Sequence, residues 1–151
     1  MITAKPEAQF TMIDWWKKVV KDNYANFEGR ARRAEYWNYT LLHLLITIGF
    51  YILALALVLS IVFSFFVFVL WAFLFIYNMA ILLPTLAVAV RRLHDTNKSG
   101  WLILLGLIPL VGGIILIVFL ATEGDRGTNQ YGADPKIAPD FIQEIGLKDF
   151  K

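Results

Sequence analysis

The chain has 151 residues, a formal net charge of +2 and no cysteine, and 58% of its side chains are apolar. That length suits one domain. The missing cysteines exclude disulfides, thiolate metal sites and cysteine nucleophiles, and so small a net charge offers nucleic acid no electrostatic footprint. Charged residues make up only 17% and are unevenly placed: Asp, Glu, Lys and Arg are absent from Leu41 to Val90 and again from Trp101 to Thr122. A small soluble domain leaves too much surface in water to hide both stretches, so the composition predicts an all-α integral membrane protein.

Met1 to Gln9 reads as a loose terminus, and the first long apolar run begins too late for a cleavable signal peptide, so the first span is expected to act as its own insertion signal. Thr11 with Asp14 three residues on resembles a short capping box. Met12, Ile13, Trp16, Val19, Val20 and Phe27 then recur at helical spacing among Asp14, Lys17, Lys18, Lys21 and Asp22. This predicts an N-terminal amphipathic interfacial helix, with packing on a soluble partner or on the rest of the chain as the alternative. An arginine-rich connector follows from Asn26 to Asn38, with Gly29 as its break point, and Tyr36, Trp37 and Tyr39 stand where an aromatic belt belongs. Residues 1–40 therefore form a lead and connector, 41–121 the transmembrane domain and 122–151 a Gly-rich polar tail.

As one helix, the fifty residues from Leu41 to Val90 would extend about 75 Å, more than twice a hydrocarbon core of roughly 30 Å. Two spans are expected, near 41–62 and 66–90, joined by a turn marked weakly by Ser60 and Ser64, with Pro84 kinking the second. Arg91 to Gly100 reads as a polar loop. The third apolar segment, 101–121, contains Gly106, Pro109, Gly112 and Gly113 and is expected to be broken or re-entrant. The tail's glycines, Asp134 and Pro135 are turn formers, and Asp140 suggests a cap for a last short helix. The flanking basic clusters, Arg30, Arg32 and Arg33 and then Arg91, Arg92 and Lys98, orient the N-terminus to the cytoplasm of a multi-pass protein. Three full spans then place the tail outside; a re-entrant third segment returns it to the cytoplasmic face.

No catalytic motif is present, and no cofactor is expected. His43 is the one ionisable group within the apolar stretches and reads as structural, while Asn78 and Thr85 are expected to hydrogen-bond across helices. The polar blocks hold the candidates for lipid-headgroup or ligand binding: Arg30, Arg32, Arg33, Glu35, Arg91, Arg92, His94, Asp95, Asn129 and Asp134. Arginine beside carboxylate forms bidentate pairs and contacts phosphate. His94 with Asp95 is too small a set for a metal site, and Glu123, Asp125, Asn129 and Asp134 do not match a calcium loop.

Three blocks resemble the bacterial inner-membrane proteins grouped as domain of unknown function 805. They are Trp15 to Val20 with Phe27 to Trp37; Arg91 to Trp101; and Ile108 to Gly113 with Gly124 to Pro135. The resemblance covers about residues 10–136 and implies a small protein of the bacterial inner (plasma) membrane, with no activity to carry over. The expected function is that of a non-enzymatic protein binding lipid or membrane-protein partners and affecting envelope integrity. A small oligomeric channel or transporter is the alternative, motivated by the broken third segment, and an interfacial lipid enzyme ranks third. The expected partners are the phospholipid bilayer and a membrane protein or a second copy of the chain.

Overall fold

The computed structural model describes residues 7–58 and 64–137. A 3₁₀ turn at Glu7–Gln9 precedes the capping box that starts the first α-helix. The Thr11 hydroxyl accepts the Asp14 N–H, while the Asp14 carboxylate accepts the Thr11 N–H at 2.8 Å. Helix α1 runs Met12–Lys17 and widens into a π-helical turn over Lys18–Asp22. Asn23 ends it, its side-chain amide donating to the Lys18 carbonyl at 3.1 Å. Phe27, assigned to this periodicity in the sequence, lies beyond the helix end. The lead does pack on its own chain: Val19 is buried with Ala31, Tyr39, Ile81 and Val88, whereas Met12 and Ile13 remain exposed.

Two long helices follow, α2 (Arg33–Val58) and α3 (Ser64–Asp95), packed against each other. Both reach further into polar sequence than the apolar runs suggest. The connector is helical from Arg33, and the segment read as a loop from Arg91 is helical to Asp95. A helix needs no apolar residue at its ends when ion pairs hold its polar turns, as they do here. In the most apolar 18-residue window of each helix, only 6% and 11% of the residues are buried. Core helices of soluble proteins bury far more, so these outward apolar faces suit lipid. The turn between the helices and the proposed cap at Asp140 lie outside the described residues.

α3 runs through Pro84, which has no N–H for the Ala80 carbonyl one turn back. The Tyr24 hydroxyl donates to that carbonyl at 2.6 Å, tying the lead to the middle of the helix. Deep polar groups are used locally. The Tyr39 and Thr85 hydroxyls meet across the helices at 2.6 Å, and His43 Nδ1 lies 3.2 Å from the Tyr77 hydroxyl. Thr85 thus bridges helices as expected. Asn78 instead donates to Leu74 of its own helix.

The third apolar segment is broken into a hairpin. A 3₁₀ arm, Gly100–Leu107, leads out and helix α4, Val111–Ala121, leads back. Eight residues at a 3₁₀ rise and eleven at an α rise both come to about 16 Å, roughly half a hydrocarbon core. Leu110 forms the tip at φ 62°, ψ −60°, with the Val111 N–H donating to the Pro109 carbonyl across a strained γ-turn. Ile108 and Gly112 donate to Leu105 and Ile108, so these tip amides are satisfied within the hairpin, as a lipid environment requires. Both ends of the hairpin sit at the C-terminal end of α3. Gly100 abuts Val90 and His94, and the Leu120 carbonyl accepts from Arg92. The segment is therefore not a third full-length helix, and the tail returns to the polar end.

The two arms approach so closely that a Cβ on Gly112 would stand 1.7 Å from the Leu105 carbonyl oxygen, whereas a Cβ on Gly113 would meet nothing within 4 Å. Gly112→Ala is expected to lower stability in detergent by about 1–3 kcal/mol through overpacking, with Gly113→Ala neutral or slightly stabilising. Equal thermal midpoints for the two variants would refute this packing of the arms.

Candidate ligand-binding site

The hairpin brings all three polar blocks together at one end of the helix pair. The sharp bend at Gly29 (φ 75°) turns the connector back, and the Ala31 N–H donates to the Arg91 carbonyl at 3.0 Å. Arg30 enters between α3 and the tail. Its Nε donates to Asp95 Oδ1 at 3.0 Å, and its remaining N–H groups reach the carbonyls of Asp125 and Gly127. Arg92 takes the other Asp95 oxygen, and its guanidinium also donates to the Leu120 and Thr122 carbonyls at the end of α4. A cation there complements the negative end of the helix dipole. The Asp95 backbone carbonyl accepts the Asp125 N–H at 2.8 Å. Gly124 is required beside it, because a Cβ there would fall 2.0 Å from Asp95 Oδ2.

A second cluster joins the lead to both helices. Glu35, 1% exposed, lies 2.9 Å from Lys18 Nζ and 2.8 Å from Arg91 Nη1. Lys18 also reaches Glu7 at 2.6 Å, and Glu7 pairs with Arg32 at 3.0 Å. Burial works against the Lys18 ammonium, yet Glu35 and then Glu7 hold its pKa above the ordinary value. Arg91 Nε and Nη2 are buried without a hydrogen-bond partner among the described residues. Arg33 is exposed.

His94 and Asp95 diverge, which dismantles the pair as a metal site. His94 Nδ1 lies 3.1 Å from the Gly29 carbonyl, and the ring stacks on Tyr131 with centroids 3.8 Å apart. Asn129 donates to the His94 carbonyl at 2.9 Å, and its own Oδ1 accepts the Tyr131 N–H. Asp134 shapes the tail by accepting the N–H groups of Gly127 and Lys136. Among the described residues, no three His, Asp or Glu side chains cluster as metal ligands. Of the residues singled out in the sequence, Arg30, Arg92, Asp95, Asn129 and Asp134 form one cluster with His94 on its flank; Glu35, Arg91 and Arg32 form the neighbouring one. Lys18, Glu7, Gly124 and Tyr131 complete the geometry and carry no spacing signal that marks them as partners.

The chain is matched over residues 24–133 by the family model described as protein of unknown function (DUF805). It belongs to this family. Two relatives in Escherichia coli K12 are similar along most of their length. The inner membrane protein YhaI is 42% identical over 124 residues, covering 82% of this chain and 97% of the relative. The inner membrane protein YhaH is 41% identical over 134 residues, covering 84% and 100%. No solved structure matches. The family match takes in both arginine clusters and the tail residues that enclose them, and the lead up to Asn23 lies before it.

Removing the shared carboxylate tests the cluster. Asp95→Ala leaves two buried guanidinium groups without a counter-charge, and the expected loss is about 3–5 kcal/mol in detergent unfolding. Asp125→Ala removes only an exposed side chain and is expected to stay within about 0.5 kcal/mol. Similar losses for the two would exclude the triad as the clamp. A pH effect follows from Asp134. Burial raises its pKa, but the Lys136 and Gly127 amides and Arg30 outweigh this and hold it below the ordinary 3.8. Its contribution is therefore complete above pH 3.8 and is lost as pH falls through the lower folded-state value. The acid limb of a stability profile is expected to flatten in Asp134→Asn.

Proposed function

We propose that this is a non-enzymatic inner-membrane protein whose preformed polar end binds lipid or a membrane-protein partner, and that it contributes in this way to envelope integrity. The convergence of three sequence-distant polar blocks into an internally paired cluster supports this reading. Arg30, Arg92 and Asp95 spend their hydrogen bonds on each other and on backbone carbonyls, as a frame does. Lys17, Lys21, Arg33 and Arg126 remain exposed around that frame, where anionic headgroups or an acidic partner surface meet them. The deep polar groups of α2 and α3 bond mostly to each other or to their own helix, which gives a channel little polar lining.

In the proposed topology α2 and α3 cross the membrane, the hairpin re-enters, and the N-terminus and tail share the cytoplasmic side. The basic clusters beside the helix ends support the orientation. Exposed Phe27, Trp37 and Trp101 near the polar end support the depth.

Two measurements test the reading. Gently solubilised protein is expected to retain phospholipid or a stoichiometric membrane protein in native mass spectra; a bare chain overturns the binding function. The chain has no cysteine, so Ser99→Cys and Ala133→Cys provide unique labelling sites. Both are expected to resist an impermeant maleimide in intact cells and to react after permeabilisation. Labelling of Ala133→Cys alone in intact cells would place the tail outside and overturn the topology.

A further inference from the structure

Between α3, the connector and the 3₁₀ arm lies an open groove of ≈ 490 Å³, a size common among small-molecule sites, that the ion clusters do not use. Its lining is rich in rings: Phe27, Trp101 and Tyr131, with His94 among them. None of the described residues that line it is Asp, Glu, Lys or Arg. The neighbouring cation is turned elsewhere, because the Lys98 ammonium donates to the Thr96 carbonyl at 3.3 Å and lies over the Phe119 ring. The first amides of the arm are also spent, those of Trp101 and Leu102 both donating to Ser99. The groove therefore offers a charged headgroup no counter-charge. Its apolar side runs onto exposed hairpin surface, with Trp101 and Leu107 each 79% exposed and Leu104 51%. An uncharged amphiphile fits such a place, its head among the rings and its chain along Leu104 and Leu107.

His94 sets the polar chemistry of that head. The Gly29 carbonyl, 3.1 Å from His94 Nδ1, can only accept, so Nδ1 carries the proton. Among the described residues no carboxylate pairs with the ring, which stays neutral and keeps Nε2 as an acceptor without a partner. Nε2 points to the Gly100 wall of the groove, where no side chain meets it: a Cβ there would stand 3.2 Å away. Parallel stacking on Tyr131, with centroids 3.8 Å apart, holds the ring in this orientation. Tautomer and orientation are thus both set by the fold, and only a ligand with a proton to give satisfies Nε2. The Ser99 hydroxyl accepts the Trp101 N–H and keeps its own proton to donate, so it meets a ligand hydroxyl or carbonyl alike. A flat ring bearing hydroxyls meets every condition: it packs on aromatic walls, carries no charge and donates to a neutral nitrogen.

We propose that this groove binds the reduced, dihydroxy form of a membrane quinone, with one ring hydroxyl donating to His94 Nε2 and the apolar chain following Leu104 and Leu107 into the bilayer. The oxidised form has carbonyls at both positions and leaves Nε2 unmet, so the groove discriminates between the two redox states. This site rests on the lipid-binding reading above and specifies the lipid.

The test places the full chain in phosphatidylcholine nanodiscs under anaerobic conditions. Separate samples are loaded with a benzoquinol carrying a decyl chain, with the matching quinone or with diacylglycerol, and native mass spectrometry measures what stays bound. The quinol is expected to be retained on the order of tenfold more than the quinone, the size of one hydrogen bond. Diacylglycerol, uncharged but without a ring, is expected at background. His94→Phe keeps a ring against Tyr131 and removes the acceptor, and it is expected to bring quinol retention down to that of the quinone. Leu104→Trp fills the groove from an exposed position, leaves His94 in place and is expected to abolish retention of both. Equal retention of quinol and quinone by the unaltered chain, retention that survives Leu104→Trp, or diacylglycerol held as well as the quinol overturns the inference. If phospholipid or a partner protein stays bound and quinol does not, this inference fails and the general reading stands. If nothing at all is retained, both fail.

Discussion

The buried carboxylate of Asp95 governs the polar end of this molecule. It stands at the last residue of α3, where a helix has spare carbonyls and no spare donors, and two arginines from different parts of the chain converge on it. A lone buried carboxylate would be strongly disfavoured, and so would either guanidinium alone. The three together are favourable only when the connector, the end of α4 and the start of the tail are all in place, because each arginine also needs backbone carbonyls from those segments. Cohesion at this end is thus all-or-none. Gly124 is part of the same condition, since only a residue without Cβ lets the chain pass the carboxylate.

The hairpin is the second constraint, and it follows from the first. Arg92 holds the Leu120 and Thr122 carbonyls while Gly100 is pressed against α3, so the apolar segment must leave and return at one level. In the proposed topology this turn lies within hydrocarbon, where unsatisfied amides are costly. The γ-turn at Leu110 pairs the Val111 amide at the expense of backbone strain, with an exposed leucine where glycine would be the relaxed choice.

The sequence made the helical class legible, because two uncharged runs and a basic flank are properties of composition and order alone. The capping box at Thr11 was readable for the same reason: its two partners are three residues apart. Gly106, Pro109, Gly112 and Gly113 marked a broken segment, but whether it crossed or returned depended on Arg92 meeting Leu120, a contact between residues twenty-eight apart. Helices α2 and α3 run on into the polar connector and the segment read as a loop, because hydropathy cannot register a helical turn stabilised by ion pairs. Candidate residues such as Arg30 and Asp95 stood out by type, yet their pairing across sixty-five positions had no local signature. The same holds for Lys18 with Glu35, and for Tyr24, whose hydroxyl answers the Ala80 carbonyl, fifty-six residues on, that Pro84 leaves free.

The separation of charge along the chain bears on how the protein enters a membrane. Every ionisable Asp, Glu, Lys and Arg among the described residues precedes Tyr36 or follows Val90, and residues 59–63 between the two long helices carry none. In the proposed arrangement, the only stretch that must emerge on the far side is therefore uncharged, and the later hairpin dips in without delivering anything across. Insertion then moves no formal charge through hydrocarbon, so the membrane potential neither drives nor opposes it. Assembly reduces to partitioning of greasy helices, with the arginine clusters closing behind them on the side where the ribosome stands.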